Sequence, residues 1–344
     1  MRYRIFGNTG LRVSSLALGT GNFGKGWGYG TDREEASRIY ARYREAGGNF
    51  IDTADQYQFG QSEIMLGEFI AAERDDIILA SKFSLGDSPD AGLQRSGNSR
   101  KAMFRSVEAS LERLKTDRID LLWVHMPDAV TPIDEIVRGL DDLVRSGKIL
   151  YAGLSDFPAW RIATGATLAE LRGWSPISAV QLEYSLVERS AERELLPMAA
   201  GFNLGTVGWS PLGGGLLTGK YRKGETGRAQ GLGAVIHGES DQRKVATVDA
   251  VLAIAAETGY SPGQVAIGWV LAKGILPIIG PRTDEQLVDN LAALKVRLTP
   301  TQLDRLESAS AVSLGFPHDV VAASAAMLAG GKLELIDVPN RAIR

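Results

Sequence analysis

The chain has 344 residues, 38 of them basic and 41 acidic, for a formal net charge of −3, and it contains no cysteine. Near-balanced charge gives no long-range field for nucleic acid or an anionic membrane, and the missing cysteine excludes disulfides, thiolate metal sites and a thiol nucleophile. A hydrophobic content of 44% suffices for one large core, while 40 glycines call for tight turns or close backbone approach to a ligand.

The first residues read as a small hairpin, Tyr3–Phe6 and Leu11–Val13 around a Gly-Asn-Thr-Gly turn. From there short apolar runs alternate with segments of helical period. Strand Leu16–Leu18 precedes helix Arg33–Ala46, Asn49–Asp52 precedes Gln61–Ala72, and Ile77–Ser81 precedes Arg100–Lys115. Ile119–Val124 then leads to Ile133–Arg145, Ile149–Leu154 to Ala159–Leu171, and Ala179–Leu182 to Ala191–Ala199. Leu204–Trp209 is followed by a glycine-rich stretch, Pro211–Ser240, and by helices Asp241–Thr258 and Pro262–Lys273. Leu276–Ile279 and helix Glu285–Ala293 complete the series. In Arg100–Lys115 the stripe Met103, Val107, Leu111 and Leu114 shows the helical spacing, whereas the strand runs are apolar throughout, as expected where both faces are covered.

Eight strand–helix units in unbroken order favour a closed (β/α)8 barrel over an open doubly wound sheet. Gly19-Thr20-Gly21-Asn22-Phe23-Gly24 superficially fits a dinucleotide fingerprint, but the next helix starts well beyond the third glycine, so the segment reads as a glycine-rich loop. Residues 1–310 form the expected barrel domain and 311–344 an extension on or near its mouth, carrying Phe316-Pro317-His318 and a weak helix, Val320–Leu328. A loop as long as Pro211–Ser240 suggests a lid. The N-terminal segment has no apolar targeting run, and no stretch is apolar enough to span a membrane, which points to a cytoplasmic protein.

In a parallel barrel the reactive residues sit where strands end. The second strand ends Asp52-Thr53-Ala54-Asp55-Gln56-Tyr57, the third ends at Lys82 and the fourth at His125. Asp52 alone reads as a turn cap, Tyr57 as a rim aromatic, Lys82 as a snorkelling cation and His125 as a core histidine. Together they suit carbonyl reduction, in which oxygen gains negative charge and needs a proton. A lysine ammonium beside a phenol favours the phenolate, and an aspartate keeps that ammonium charged in a dry cleft. His125 would orient and polarise the carbonyl, or supply the proton itself.

These residues carry a family resemblance. Gly47-Gly48-Asn49-Phe50-Ile51-Asp52-Thr53-Ala54-Asp55-Gln56-Tyr57, Leu114-Lys115-Thr116-Asp117-Arg118-Ile119-Asp120-Leu121, His125, Gln181, Trp209-Ser210-Pro211-Leu212 and Leu217-Thr218-Gly219-Lys220 occur in the order and spacing of an aldo-keto reductase, which the chain resembles from Gly7 to about Leu294. The resemblance implies a (β/α)8 barrel, a catalytic tetrad of Asp52, Tyr57, Lys82 and His125, and NADPH as cofactor. It implies Ser155, Asp156 and Gln181 around the nicotinamide amide, with aspartate at 156 where many relatives have asparagine, and Trp209 stacked on the ring. It also implies that Gly19, Thr20 and Gly21 border the cofactor.

Ser210-Pro211-Leu212-Gly213-Gly214-Gly215 resembles the segment around the pyrophosphate, its glycines able to expose backbone N–H groups, with Lys220 adding charge. Gly280 through Asn290 reads as a helix start suited to phosphate. There Arg282 would fork onto a 2′-phosphate and Gln286, Asp289 and Asn290 would meet the adenosine, favouring NADPH over NADH. Candidate substrate contacts are Phe23, Trp27, Phe59, Phe83, Met126 and Phe316, an apolar rim for a small uncharged carbonyl compound. Two other assignments stay open. One is a non-catalytic NADPH-binding accessory or sensor subunit of the potassium channel beta type, and the other is a lyase forming a Schiff base on Lys82.

Overall fold

The computed structural model describes residues 1–224 and 237–337. Among these residues ten strands and twelve α-helices follow one another as β1 (Tyr3–Ile5), β2 (Arg12–Ser14), β3 (Ala17–Gly19), α1 (Arg33–Glu45), β4 (Phe50–Asp52), α2 (Gln61–Phe69), β5 (Ile78–Phe83), α3 (Arg100–Leu114), β6 (Ile119–Val124), α4 (Ile133–Arg145), β7 (Ile149–Ser155) and α5 (Ala159–Arg172). The second half continues as β8 (Ile177–Glu183), α6 (Leu195–Gly201), β9 (Gly205–Trp209), α7 (Gln242–Thr258), α8 (Pro262–Ala272), β10 (Leu276–Ile279), α9 (Asp284–Ala292), α10 (Pro300–Ser310), α11 (His318–Ala323) and α12 (Ala325–Leu328). β3 to β10 close into a parallel eight-stranded barrel, β10 pairing with β3 through Ile278↔Ala17 and Ile279↔Leu18. β1 and β2 form the separate antiparallel hairpin. The molecule is a (β/α)8 TIM barrel.

The pleat sorts the apolar side chains into two layers. Ala17, Phe50, Ile78, Ala80, Leu121, Trp123, Ala179, Val207, Leu276 and Ile278 fill the barrel, and Phe6 and Val13 of the hairpin segment join them from below. Phe6 meets Phe50 edge-on, with ring centroids 5.6 Å apart. The alternate strand residues, such as Leu18, Ile51, Leu79, Leu122 and Val180, pack outward against the helices. Both faces of each strand are therefore dry, which is why the runs lack polar alternation.

Four segments differ from expectation. The helix expected over Ala191–Ala199 is a 3-10 turn, Ser190–Glu192, followed by α6. Starting the helix at Leu195 puts Pro197 in its first turn, where a missing N–H breaks no bond. α10 was not anticipated, although Thr299 caps it with the Gln302 capping box and Pro300 opens it. Val320–Leu328 is divided at Ser324 into α11 and α12. The stretch after β9 forms 3-10 turns at Gly213–Thr218 and Lys220–Lys223, while the part of the expected lid at 225–236 lies outside the described residues, as does 338–344 of the extension. The extension touches the segment before α6, where Arg193 donates to the Ser313 carbonyl at 2.9 Å and His318 Nε2 lies 3.0 Å from Glu194. No helix among the described residues is long and apolar enough to cross a membrane.

Candidate active site

Residues facing the barrel interior alternate with residues facing the helices, so each strand delivers one inward side chain at its C-terminal end. Asp52 closes β4, Lys82 is the last inward residue of β5, and His125 follows β6. Lys82 is fully buried and its ammonium spends all three N–H donors: on Asp52 Oδ1, on the Thr53 carbonyl at 2.9 Å and on Tyr57 Oη at 2.9 Å. Asp52 Oδ2 accepts from Gln181 Nε2 at 2.9 Å. Burial works against the Lys82 charge, yet Asp52 and Tyr57 outweigh it and hold the amine above its ordinary pKa.

Tyr57 is returned over the barrel end by a left-handed run in which Gln58, Phe59 and Gly60 have φ of 52°, 55° and 83°. A polar net fixes that turn. Ser62 Oγ meets Thr53 Oγ1 at 2.9 Å and donates to the Thr20 carbonyl at 3.0 Å. Gln58 Nε2 donates to the Gly21 carbonyl, and Gln58 Oε1 accepts from the Trp27 N–H, both at 2.9 Å. The Tyr57 ring stands nearly perpendicular to His125 and Trp27, at 5.9 and 6.0 Å between centroids. His125 is held well below the ordinary imidazole pKa, by burial and then by the Lys82 charge, so it is neutral; its Nδ1 is buried without a hydrogen-bond partner.

The candidate cofactor residues surround this cluster from the β3, β7, β8, β9 and β10 ends. Gly21 lies against Tyr57, and a Cβ there would sit in contact with its ring at 3.7 Å. Gly19 has a different duty: a Cβ would come within 2.5 Å of Ile278, so its smallness serves the β3–β10 seam. Thr20 is buried and donates to the Asp52 carbonyl at 3.2 Å. Asn22 Nδ2 donates to the Gly280 carbonyl at 2.9 Å, joining the first and last barrel loops. Asp156, in left-handed backbone at φ 58°, accepts from Trp209 Nε1 at 3.0 Å and from Ser155 Oγ at 3.3 Å. Burial lifts the Asp156 carboxyl to about 6.

Several expectations about this site need correction. The N–H groups of Gly213, Gly214 and Gly215 do not point outward as an anion nest. They donate to the Ser210 carbonyl, Ser210 Oγ and the Leu212 carbonyl, because Ser210 and the three glycines, all with positive φ, coil into a 3-10 turn beside buried Pro211. Lys220 folds back over that turn, its Nζ 2.8 Å from where a Gly215 Cβ would be. Asp289 is drawn to the start of α8, accepting from Gln264 Nε2 at 2.7 Å and Ser261 Oγ at 3.1 Å. Gln286 Oε1 accepts from the Arg282 N–H and so closes its own helix start. Asn290 is buried one turn further on, and the Arg282 guanidinium has no partner among the described residues.

The substrate candidates differ in their surroundings. Phe23 is buried in the core edge-on to Phe69, Phe83 follows Lys82 and therefore faces the helices, and Phe316 is 86% exposed. Trp27, Phe59 and Met126 stay at the mouth, with Trp27 perpendicular to Phe59 at 6.4 Å. Sequence reasoning passed over Gln58 and Asn22, the two amides that pin the loops; polar residues beside the tyrosine and inside the glycine-rich turn were the available signal.

A family model described as the aldo/keto reductase family matches residues 15–311. The aldo-keto reductase ausK of Emericella nidulans is 36% identical over 93% of this chain and 84% of its own. The norsolorinic acid reductase of Aspergillus flavus is 35% identical over 90% of this chain and 81% of its own. The "probable aryl-alcohol dehydrogenase AAD4" of Saccharomyces cerevisiae is 36% identical over 84% of this chain and 92% of its own. A match that runs through every strand of the barrel, with relatives aligned over most of their length, makes this chain a member of the aldo/keto reductase family, a family of oxidoreductases.

Proposed function

We propose that the chain is an NADPH-dependent reductase of aromatic aldehydes or ketones, reversible in principle. The observation that carries the reading is the Lys82 ammonium 2.9 Å from Tyr57 Oη, backed by Asp52, at the open end of a barrel otherwise filled with hydrocarbon. A nicotinamide, when bound, would supply the hydride. Tyr57 gives its phenolic proton to the carbonyl oxygen as charge develops there, and the Lys82 ammonium stabilises the phenolate left behind. Asp52 keeps that ammonium charged, and the bond from Gln181 fixes the carboxylate. Neutral His125 serves as a hydrogen-bonding polariser and not as the proton source, which argues for the tyrosine among the two acids considered. A Schiff base on Lys82 would need a neutral amine, whereas this one is held protonated with all its donors engaged.

The residues present fit NADPH in three respects. Gly21 carries no side chain beside Tyr57, where a Cβ would already touch the ring. The Trp209 indole is anchored by Asp156 with a π-face to offer, and the unpartnered Arg282 at the start of α9 suits a 2′-phosphate. An aromatic substrate is supported by Trp27, Phe59 and Met126 around the mouth and by the relatives' names. The test is turnover of benzaldehydes and aryl ketones, and of the matching alcohols, followed at 340 nm with NADPH and NADH. Tyr57→Phe should lower kcat about 10²- to 10⁴-fold while leaving the cofactor dissociation constant within twofold. An unchanged kcat would remove Tyr57 from the role, and absence of turnover with every carbonyl despite tight NADPH binding would favour an accessory subunit.

A further inference from the structure

A cavity of about 960 Å³ opens between the N-terminal hairpin, the end of α1 and the α8–α9 pair, sharing no residue with the strand-end cluster. Its floor is hydrocarbon: Leu271, Val288, Leu291 and Leu294, of which Val288 is exposed and the leucines are half-covered by the core behind them. Its rim is basic. Arg42 is already paired with Asp284, but Arg2, Arg4, Lys295 and Arg297 face only Glu45 as a lining acid.

Arg4 is the informative member. Its guanidinium is half-buried and donates only to the Gly274 carbonyl at 2.7 Å. No carboxylate among the described residues meets it, and burial lowers its pKa without compensation. The guanidinium has five N–H donors and only one is used among the described residues, which leaves four at the cavity rim for water or an anion. An apolar floor, a rim with surplus positive charge and a guanidinium lacking its anion are complementary to one kind of guest.

We propose that this cavity binds a single-chain amphiphile with an anionic head, the chain lying along Leu271, Val288, Leu291 and Leu294 and the head meeting Arg4. The volume is at the upper end of the range usual for small-molecule sites, so a chain of ten carbons or more is accommodated. Carboxylate and phosphate heads both satisfy the rim, and the proposal is independent of the reductase reading.

Isothermal titration of the full chain with octanoate, decanoate, dodecanoate and decyl phosphate, each below micelle-forming concentration, tests it. Saturable one-to-one binding should tighten about two- to fourfold for each added methylene. Arg4→Gln should weaken decanoate by about tenfold, and Val288→Glu, an exposed substitution that sets like charge on the floor, by a similar factor. Lys295→Glu, on the exposed rim, guards against a hairpin disturbed by Arg4→Gln and should also weaken binding. Tyr57→Phe should leave the affinity unchanged, which separates this site from the strand-end cluster. The proposal is overturned if decanol or inorganic phosphate binds as tightly as decanoate. It is equally overturned if Val288→Glu and Lys295→Glu bind as the parent does, or if the chain cosediments with anionic vesicles yet ignores soluble decanoate.

Discussion

Asp156 illustrates how one side chain at a strand end acts through another. Its left-handed backbone directs the carboxylate at Trp209 Nε1, and the indole is thereby fixed at the end of β9. A single hydrogen bond of this kind is worth about 0.5–1.5 kcal/mol, up to tenfold in an equilibrium. Asp156→Ala should therefore raise the dissociation constant for NADPH by about three- to tenfold, with kcat at saturating cofactor changed less than twofold. Asp156→Asn, which keeps an acceptor, should recover most of the loss, and fluorescence titration of Trp209 quenching measures both. Asp52, Lys82 and His125 were readable from the chain because each stands at the end of an apolar run, and Tyr57 because it lies in the short loop that follows the first of them. The alternation of the pleat applied to Phe83, adjacent to Lys82, would have placed it on the helix side at once. Gln181 and Asp289 were less legible: their partners, Asp52 and the α8 start, lie far away in sequence, and only the closed barrel brings them within hydrogen-bond reach.

Between α2 and α3, behind the reactive cluster, lies a seam of buried charge. Glu63 accepts from Ser81 Oγ at 2.6 Å and Arg113 Nε at 2.7 Å, while Asp55 accepts from Ser106 Oγ at 2.6 Å and leaves Oδ1 without a partner. Arg113 pairs with Glu63 and Asp87 and leaves Asp55 without a bonded cation, and Asp55 is pushed up to about 7, by burial and then by Glu63. The folded chain thus retains a proton that the unfolded chain releases near 3.8, so this group's stabilisation is complete below about 4 and is lost as pH rises to 7. Asp55→Asn should gain on the parent by up to about 1.4 kcal/mol per pH unit across that window and by a constant margin above it. Urea unfolding at pH 5, 6, 7 and 8 reads the difference. Elements themselves were legible where period and length agreed, as in α3, and less so where capping alone carried the signal. Thr299-Pro300-Thr301-Gln302 announces α10 by chemistry at its first turn while its apolar stripe is thin. The coil at 213–215 was misread for the opposite reason: glycine permits many backbones, and composition cannot say which way the N–H groups turn.

At the scale of the whole molecule, the barrel is filled by hydrocarbon at one end and polar at the other. Phe6 is 2% exposed and, with Val13, closes the lower end against Phe50. Phe6→Ala should destabilise the chain by roughly 3–5 kcal/mol, since it removes a buried ring and leaves a void that the strands cannot collapse to fill. Thermal unfolding of the variant and parent checks this, and the hairpin should prove an integral part of the fold and not an appendage. With that aromatic stopper below and packed side chains above it, the lower end of the barrel gives no passage to the reactive cluster. Any approach to the Lys82–Tyr57 pair is therefore from the opposite, strand-end side.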